Sequence, residues 1–276
     1  MKSLKPRLLT AVVGIALLVG ILIAGEFWNP IIGILVGAAC AFMVGEYLHA
    51  KNLLKNFWIS IPCMLFAVLQ PILISTQYVY ILLTAFMIFS FAVLIINHSV
   101  LSYIDLSYAV FGTMLISFGM SALPLICSSG VGVTFFFCTT FTLPWMADAG
   151  GFFIGATMGK HKLCPNISPK KTVEGAVGGV VFCFASAMLI GLIFQFIIMP
   201  DVKINFWALA LLGIIDAPVS ILGDLSFSLI KRSLKIKDYG SIFPGHGGML
   251  DRFDSIIFTA PVLVVVNYFI PFITLV

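Results

Sequence analysis

The sequence predicts an all-α polytopic membrane protein with about nine transmembrane helices, and three observations carry that prediction. Hydrophobic residues make up 61% of the 276-residue chain and charged residues only 9%, against about 45–50% and 25% in a soluble domain. The mean hydropathy is +1.15. Apolar runs approaching the roughly 20 residues that a bilayer core demands recur from end to end.

Candidate spans fall at about 8–25, 29–48, 57–75, 78–97, 104–126, 131–148, 175–199, 205–229 and 253–275. The first follows Lys2, Lys5 and Arg7 and imitates a signal peptide, but it is long for a cleaved segment and reads as a retained span. A cytoplasmic N-terminus then puts Lys51, Lys55, Lys160, Lys162, Lys170, Lys171, Lys231, Arg232, Lys235, Lys237 and Arg252 on the same side. Only Lys203 falls opposite, so 14 of the 15 basic residues lie inside, the bias that orients membrane proteins. Missing or adding a pair of spans would preserve that agreement.

The six cysteines sit mostly in apolar runs without any Cys-x-x-Cys pair, and read as small hydrophobes rather than disulfides or zinc ligands. Residues 1–130, with about five spans, read as scaffold. Glu46 and His49, and then Asp105, lie near expected span ends and take an ordinary interfacial reading. Residues 131–276, with about four spans, hold the polar chemistry, the two parts making one membrane domain with a polar catalytic cavity on the cytoplasmic side.

Polarity changes after Leu143. Asp148 is expected at the inner end of span six, and Gly151, Gly155 and Gly159 recur every fourth residue as a small-residue packing face. Ser168-Pro169 reads as a helix cap followed by proline at the first helical position. Lys170 and Lys171 come next, unfavourable at a positive helix end unless a polyanion completes the site; the plainer reading is a solvated lysine pair. In span eight, Asp216 and Asp224 are costly unless paired, metal-bound or facing water. Asp251 and Asp254, three apart at the start of span nine, would share a helix face. Before them, Gly245-His246-Gly247-Gly248 can form an anion-cradling nest. Aspartates suit a hard divalent cation, most simply magnesium, while lysines, arginine and glycine N–H groups suit phosphate.

From Ser228 to Asp254 the chain resembles the phosphatidate cytidylyltransferases, or CDP-diacylglycerol synthases. Their pattern is met at Ser228, Lys231, Arg232, Lys237, Asp238, Gly240, Pro244, His246, Gly247, Gly248, Asp251, Arg252 and Asp254. Ala147-Asp148-Ala149-Gly150, Gly159–Leu163, Ser168–Thr172 and Leu222-Gly223-Asp224 are also similar to the family. The close resemblance spans roughly 140–260; the first half matches only in being apolar and helical.

The resemblance implies a nucleotidyltransferase of the cytoplasmic membrane that converts CTP and phosphatidate to CDP-diacylglycerol and pyrophosphate, its site facing the cytoplasm. It implies magnesium, with or without potassium, on Asp224 and Asp251. Catalytic candidates are Asp148, Lys171, Asp224, Lys231, Arg232, His246, Asp251 and Arg252. Substrate-binding candidates are Ser168, Lys170, Thr172, Ser228, Lys237, Asp238, Gly247, Gly248 and Asp254. His246 fits a hydrogen-bond donor better than a base, and Asp216 departs from the family pattern. A homodimer is implied, with no nucleic-acid partner. The rivals are a CTP-dependent enzyme for an ether phospholipid or polyprenol, and an ion-coupled transporter using Asp148, Asp216 and Asp224.

Overall fold

The computed structural model describes residues 20–26, 28, 30–242 and 247–275. Lys2, Lys5 and Arg7, most of the first expected span, and Pro244, Gly245 and His246 lie outside the described residues. The chain divides into two compact units, one of Met1–Gly130 with Ser233–Phe253, the other of Val131–Arg232 with Asp254–Val276.

In the first unit, residues 20–26 are helical, and α1 (Pro30–Ala50), α2 (Phe57–Leu73), α3 (Tyr78–Ile96) and α4 (Tyr103–Cys127) follow. Short polar caps begin two of them. The Asn56 side chain accepts the Trp58 N–H, and Ser102 accepts from Asp105, each satisfying an orphan donor of the first turn. Helix α2 packs on α1, α3 and α4. Gly33 and Gly37 of α1 lie against the Pro71 and Val68 carbonyls of α2, so a side chain at either would push the two backbones apart. Helix α3 buries only Phe86, Ser90 and Val93. Its exposed Tyr80, Ile81, Ile88, Ile95 and Ile96 form the kind of surface that lipid, not water, solvates.

The second unit opens with α5 (Val133–Met158), followed by β1 (Lys162–Cys164), β2 (Ser168–Thr172) and α6 (Val173–Ile193). A π-helical turn over Phe194–Ile198 leads to β3 (Val202–Ile204) and α7 (Phe206–Ser233). Within the first unit comes the single-turn α8 (Leu250–Phe253); α9 (Ile256–Phe269) and β4 (Ile273–Leu275) complete the second. Gly151 and Gly155 face Gly175 at the α5–α6 contact, as the glycine spacing predicts, while Gly159 caps α5. Gly213 of α7 lies against Phe184 and Ala187 of α6. The antiparallel β3–β4 ladder joins Val202–Ile204 to Ile273–Leu275. Gln195 braces it by donating to the Val202 carbonyl and accepting the Ile204 N–H.

Six described helical stretches are long and apolar enough to cross a membrane: Pro30–Ala50, Tyr78–Ile96, Tyr103–Cys127, Val173–Ile198, Phe206–Ser233 and Leu250–Phe269. The apolar Phe57–Leu73 is shorter. The chain is thus an integral membrane protein, mostly helical, with two short two-stranded ladders that the all-α expectation omits.

Three local expectations are corrected. Asp148 stands inside a helix rather than at its end, since α5 continues past it to Met158. Ser168 does not cap a helix, because Ser168–Thr172 pairs with β1 as a strand and the cap is Thr172, whose hydroxyl accepts the Gly175 N–H at 3.1 Å. Asp251 and Asp254 do not share one unbroken helix, since a turn at Asp254-Ser255 separates α8 from α9.

Candidate functional site

Within the second unit, the β1–β2 hairpin carries Ser168, Lys170, Lys171 and Thr172. Strand geometry sends alternate side chains to opposite faces. Lys170 is accordingly exposed and Lys171 half-buried, whereas Thr172, on the Lys170 side of that alternation, is buried because it caps α6. Lys171 Nζ lies 2.6 Å from Asp224 Oδ2 of α7, an ionic contact outside hydrogen-bond alignment. The base of the hairpin is held by Glu174, whose carboxylate accepts the N–H groups of Lys160 at 3.1 Å and His161 at 3.2 Å. His161 Nδ1 adds a contact of 2.6 Å to the same carboxylate.

Around that pair the unit gathers more charge. Asp254 is buried, accepts the Ser255 N–H at 2.9 Å, and interacts electrostatically with Asp224, Lys231 and Asp148. Lys231 is itself buried near the end of α7, with exposed Arg232 beside it and half-buried Ser228 before it. Of the sequence candidates, Asp148, Lys171, Asp224, Lys231 and Asp254 therefore form one group of three carboxylates and two ammonium ions. Asp216 is buried elsewhere on α7, with Oδ2 lacking a hydrogen-bond partner.

The first unit holds the other half of the signature. Asp251 is buried, and its Oδ2 accepts the N–H of Tyr239 at 2.9 Å and of Gly248 at 3.0 Å. Gly247 has φ +89°, a left-handed conformation that a side chain would strain. A Cβ there would also lie 3.2 Å from Asp251 Oδ2 and 3.5 Å from Asp238 Oδ1. Lys237, Asp238 and Arg252 are exposed.

Sequence reasoning misplaced Glu46. It is 7% exposed, not interfacial, and its oxygens accept the Met249 N–H at 3.0 Å and the Leu250 N–H at 2.8 Å. The next residue, Tyr47, stacks on Tyr108 with ring centroids 4.2 Å apart, and the Tyr239 ring centroid lies 6.1 Å from its own. An isolated acid inside an apolar span was the one available signal. Asp105, by contrast, pairs with Lys51 at 2.7 Å, as an interfacial acid would.

Among the described residues no three carboxylate, imidazole or thiolate groups form a metal cage. Magnesium does not need one, since it keeps waters and uses one or two carboxylates with substrate phosphates. Asp224 Oδ2 already takes a cationic partner, and Asp148 and Asp254 add two more carboxylates to a group that holds two lysines. These residues fit a hard divalent cation with a phosphorylated substrate.

Apolar helices long enough to cross a membrane, with a group of carboxylates and lysines in the second unit, define an integral membrane protein with a charged site. The profile of the Cytidylyltransferase family matches residues 5–270. The chain belongs to that family. It is 32% identical to a phosphatidate cytidylyltransferase of Staphylococcus epidermidis over 268 residues, 94% of this chain and 97% of the relative. Phosphatidate cytidylyltransferases of Staphylococcus saprophyticus and Staphylococcus aureus are each 33% identical over 270 residues, with the same coverage. Relatedness thus extends through the first half, which the motifs alone left open.

Proposed function

We propose that the chain transfers the cytidylyl group of CTP to phosphatidate, leaving CDP-diacylglycerol in the membrane and releasing pyrophosphate. The observation that carries this reading is the relationship, over 94% of the chain, to proteins that bear the phosphatidate cytidylyltransferase name. A phosphate oxygen of phosphatidate attacks the α-phosphorus of CTP, and the bond from that phosphorus to the oxygen bridging the β-phosphorus breaks. A phosphomonoester is largely ionised near neutral pH, its second pKa being about 6, so the nucleophile needs no strong general base.

The protein's part is alignment and charge neutralisation. Lys171, Lys231 and Arg232, with Lys170 at the rim, clamp phosphate oxygens; Arg252 and Lys237 add positive charge. Gly247 and Gly248 offer backbone close to the substrate, and His246 donates a hydrogen bond. Asp148, Asp238 and Asp254 with Ser168, Thr172 and Ser228 line the substrate path. Asp224 and Asp251 would hold magnesium, with or without potassium. That ion would neutralise charge developing on the phosphates.

The wider reading keeps about nine spans, a cytoplasmic N-terminus, a scaffold over 1–130 and catalysis over 131–276. The protein sits in the cytoplasmic membrane as a homodimer, its site open to cytoplasmic CTP. The 14-to-1 distribution of basic residues supports the orientation.

The test is turnover by the purified chain in detergent, following both CDP-diacylglycerol and pyrophosphate. Phosphatidate with CTP and Mg2+ is expected to give both products in equal amounts, and omission of Mg2+ to give neither. Turnover with an ether phospholipid or polyprenyl phosphate but not phosphatidate would move the assignment to another lipid. No CTP turnover with any of them would end it.

A further inference from the structure

Glu46 presents a problem that its position in α1 does not explain. A carboxylate buried in an apolar helix is costly unless its oxygens are hydrogen-bonded. Here both oxygens are engaged by backbone 203 and 204 residues further along the chain, Oε1 by Met249 N–H and Oε2 by Leu250 N–H. The surrounding loop is shaped to admit it. A Cβ on Gly240 would overlap the Glu46 carboxylate, and one on Gly248 would lie 2.6 Å from Oε2 and 2.7 Å from the Gly240 nitrogen.

The two bonded N–H groups sit immediately before Asp251, which in turn draws in the Gly248 and Tyr239 N–H groups. Two carboxylates therefore divide the backbone donors of 248–250 between them, with Tyr239 N–H added on the Asp251 side. Glu46 takes 249 and 250, while Asp251 takes 239 and 248. The rings of Tyr47 and Tyr239, with centroids 6.1 Å apart, continue the same wall.

We infer that Glu46 is a positioning residue for Asp251: its carboxylate seats the Met249 and Leu250 N–H groups and so fixes the turn that aims Asp251. The inference rests on the proposed role of Asp251 as a magnesium ligand. Glu46 acts through the backbone, as outer-shell groups orient the ligands of a metal.

Glu46→Gln replaces one acceptor oxygen with an amide NH2 that faces an N–H, so one seat is lost while side-chain size is kept. In the full-length chain in detergent, amide exchange over 247–251 is expected to accelerate by about tenfold or more, while α1 keeps its protection. The Mg2+ concentration for half-maximal turnover is expected to rise by about 10- to 100-fold, as for other outer-shell changes. At saturating Mg2+ the maximal rate should recover to within about twofold. Glu46→Asp, which keeps both oxygens on a shorter arm, is expected to fall between. Should Glu46→Gln not fold, Gly240→Ala crowds the Glu46 carboxylate from the loop side and is expected to give the same exchange and Mg2+ signatures.

Unchanged exchange over 247–251 would overturn the seat. A lower maximal rate at every Mg2+ concentration, with half-saturation unmoved, would overturn the positioning role. A wild-type chain that forms no product from CTP and phosphatidate would sink the functional reading instead, and the exchange measurement would still decide whether Glu46 holds the turn.

Discussion

The two units surround their acids differently. In the first, Glu46 and Asp251 accept four backbone N–H groups, those of Tyr239 and of 248–250. In the second, Asp224 meets the Lys171 ammonium, and Asp254 lies in the field of Lys231. Backbone donors cannot leave, so acids of the first kind shape the chain. An ammonium on a flexible stem can turn from a carboxylate to an arriving phosphate. The first arrangement builds a rigid support; the second is a charge balance open to substrate and cation.

That contrast is broken most directly at Asp224. Asp224→Asn is expected to lower CTP-dependent product formation by about 100-fold or more, with an unchanged gel-filtration profile showing the fold intact. Asp251→Asn should match it in turnover while also loosening its own turn; near-wild-type rates in either variant would remove the metal assignment. A smaller effect separates the two faces of β2. Lys171→Ala should raise the apparent KM for CTP or phosphatidate by about tenfold, a loss of one charge-assisted contact, and Lys170→Ala by no more than about twofold. Equal effects would mean that the strand's alternation does not govern the clamp.

Packing provides the next test. Gly155→Leu puts a branched side chain where Thr172 and Gly175 already lie close. It should destabilise the second unit by about 1–3 kcal/mol, read as a lower Tm in detergent. The smallest change is expected at Lys51→Ala, which removes a partly exposed pair with Asp105 worth less than about 1 kcal/mol. A large Tm loss there would show that the surface pair carries more than its exposure allows.

Much of this was legible in the residues. Composition and the lengths of apolar runs announce helices in a membrane, and glycines at 151 and 155 announce a close helix contact that the structure contains. The charged stretch from Ser228 to Asp254, with Asp224 and Lys171, drew attention to the residues of the candidate site. Ser168-Pro169 misled because a capping pattern is local, whereas the strand it joins depends on pairing with Lys162–Cys164. Neither reading could be chosen from that pentapeptide alone, since both satisfy its backbone.

By itself, then, the sequence determined the solvent, the helical majority and the chemical inventory, because these follow from composition and short-range periodicity. Tertiary structure alone decided which lysine meets Asp224, where the helix after the hairpin begins, and that Glu46 is a buried support. The first and last of those depend on partners far along the chain, 53 residues for Lys171 with Asp224 and 203 for Glu46 with Met249. Hydrophobic periodicity carries no record of which distant N–H or carboxylate will complete a buried polar group; only the packed chain supplies it.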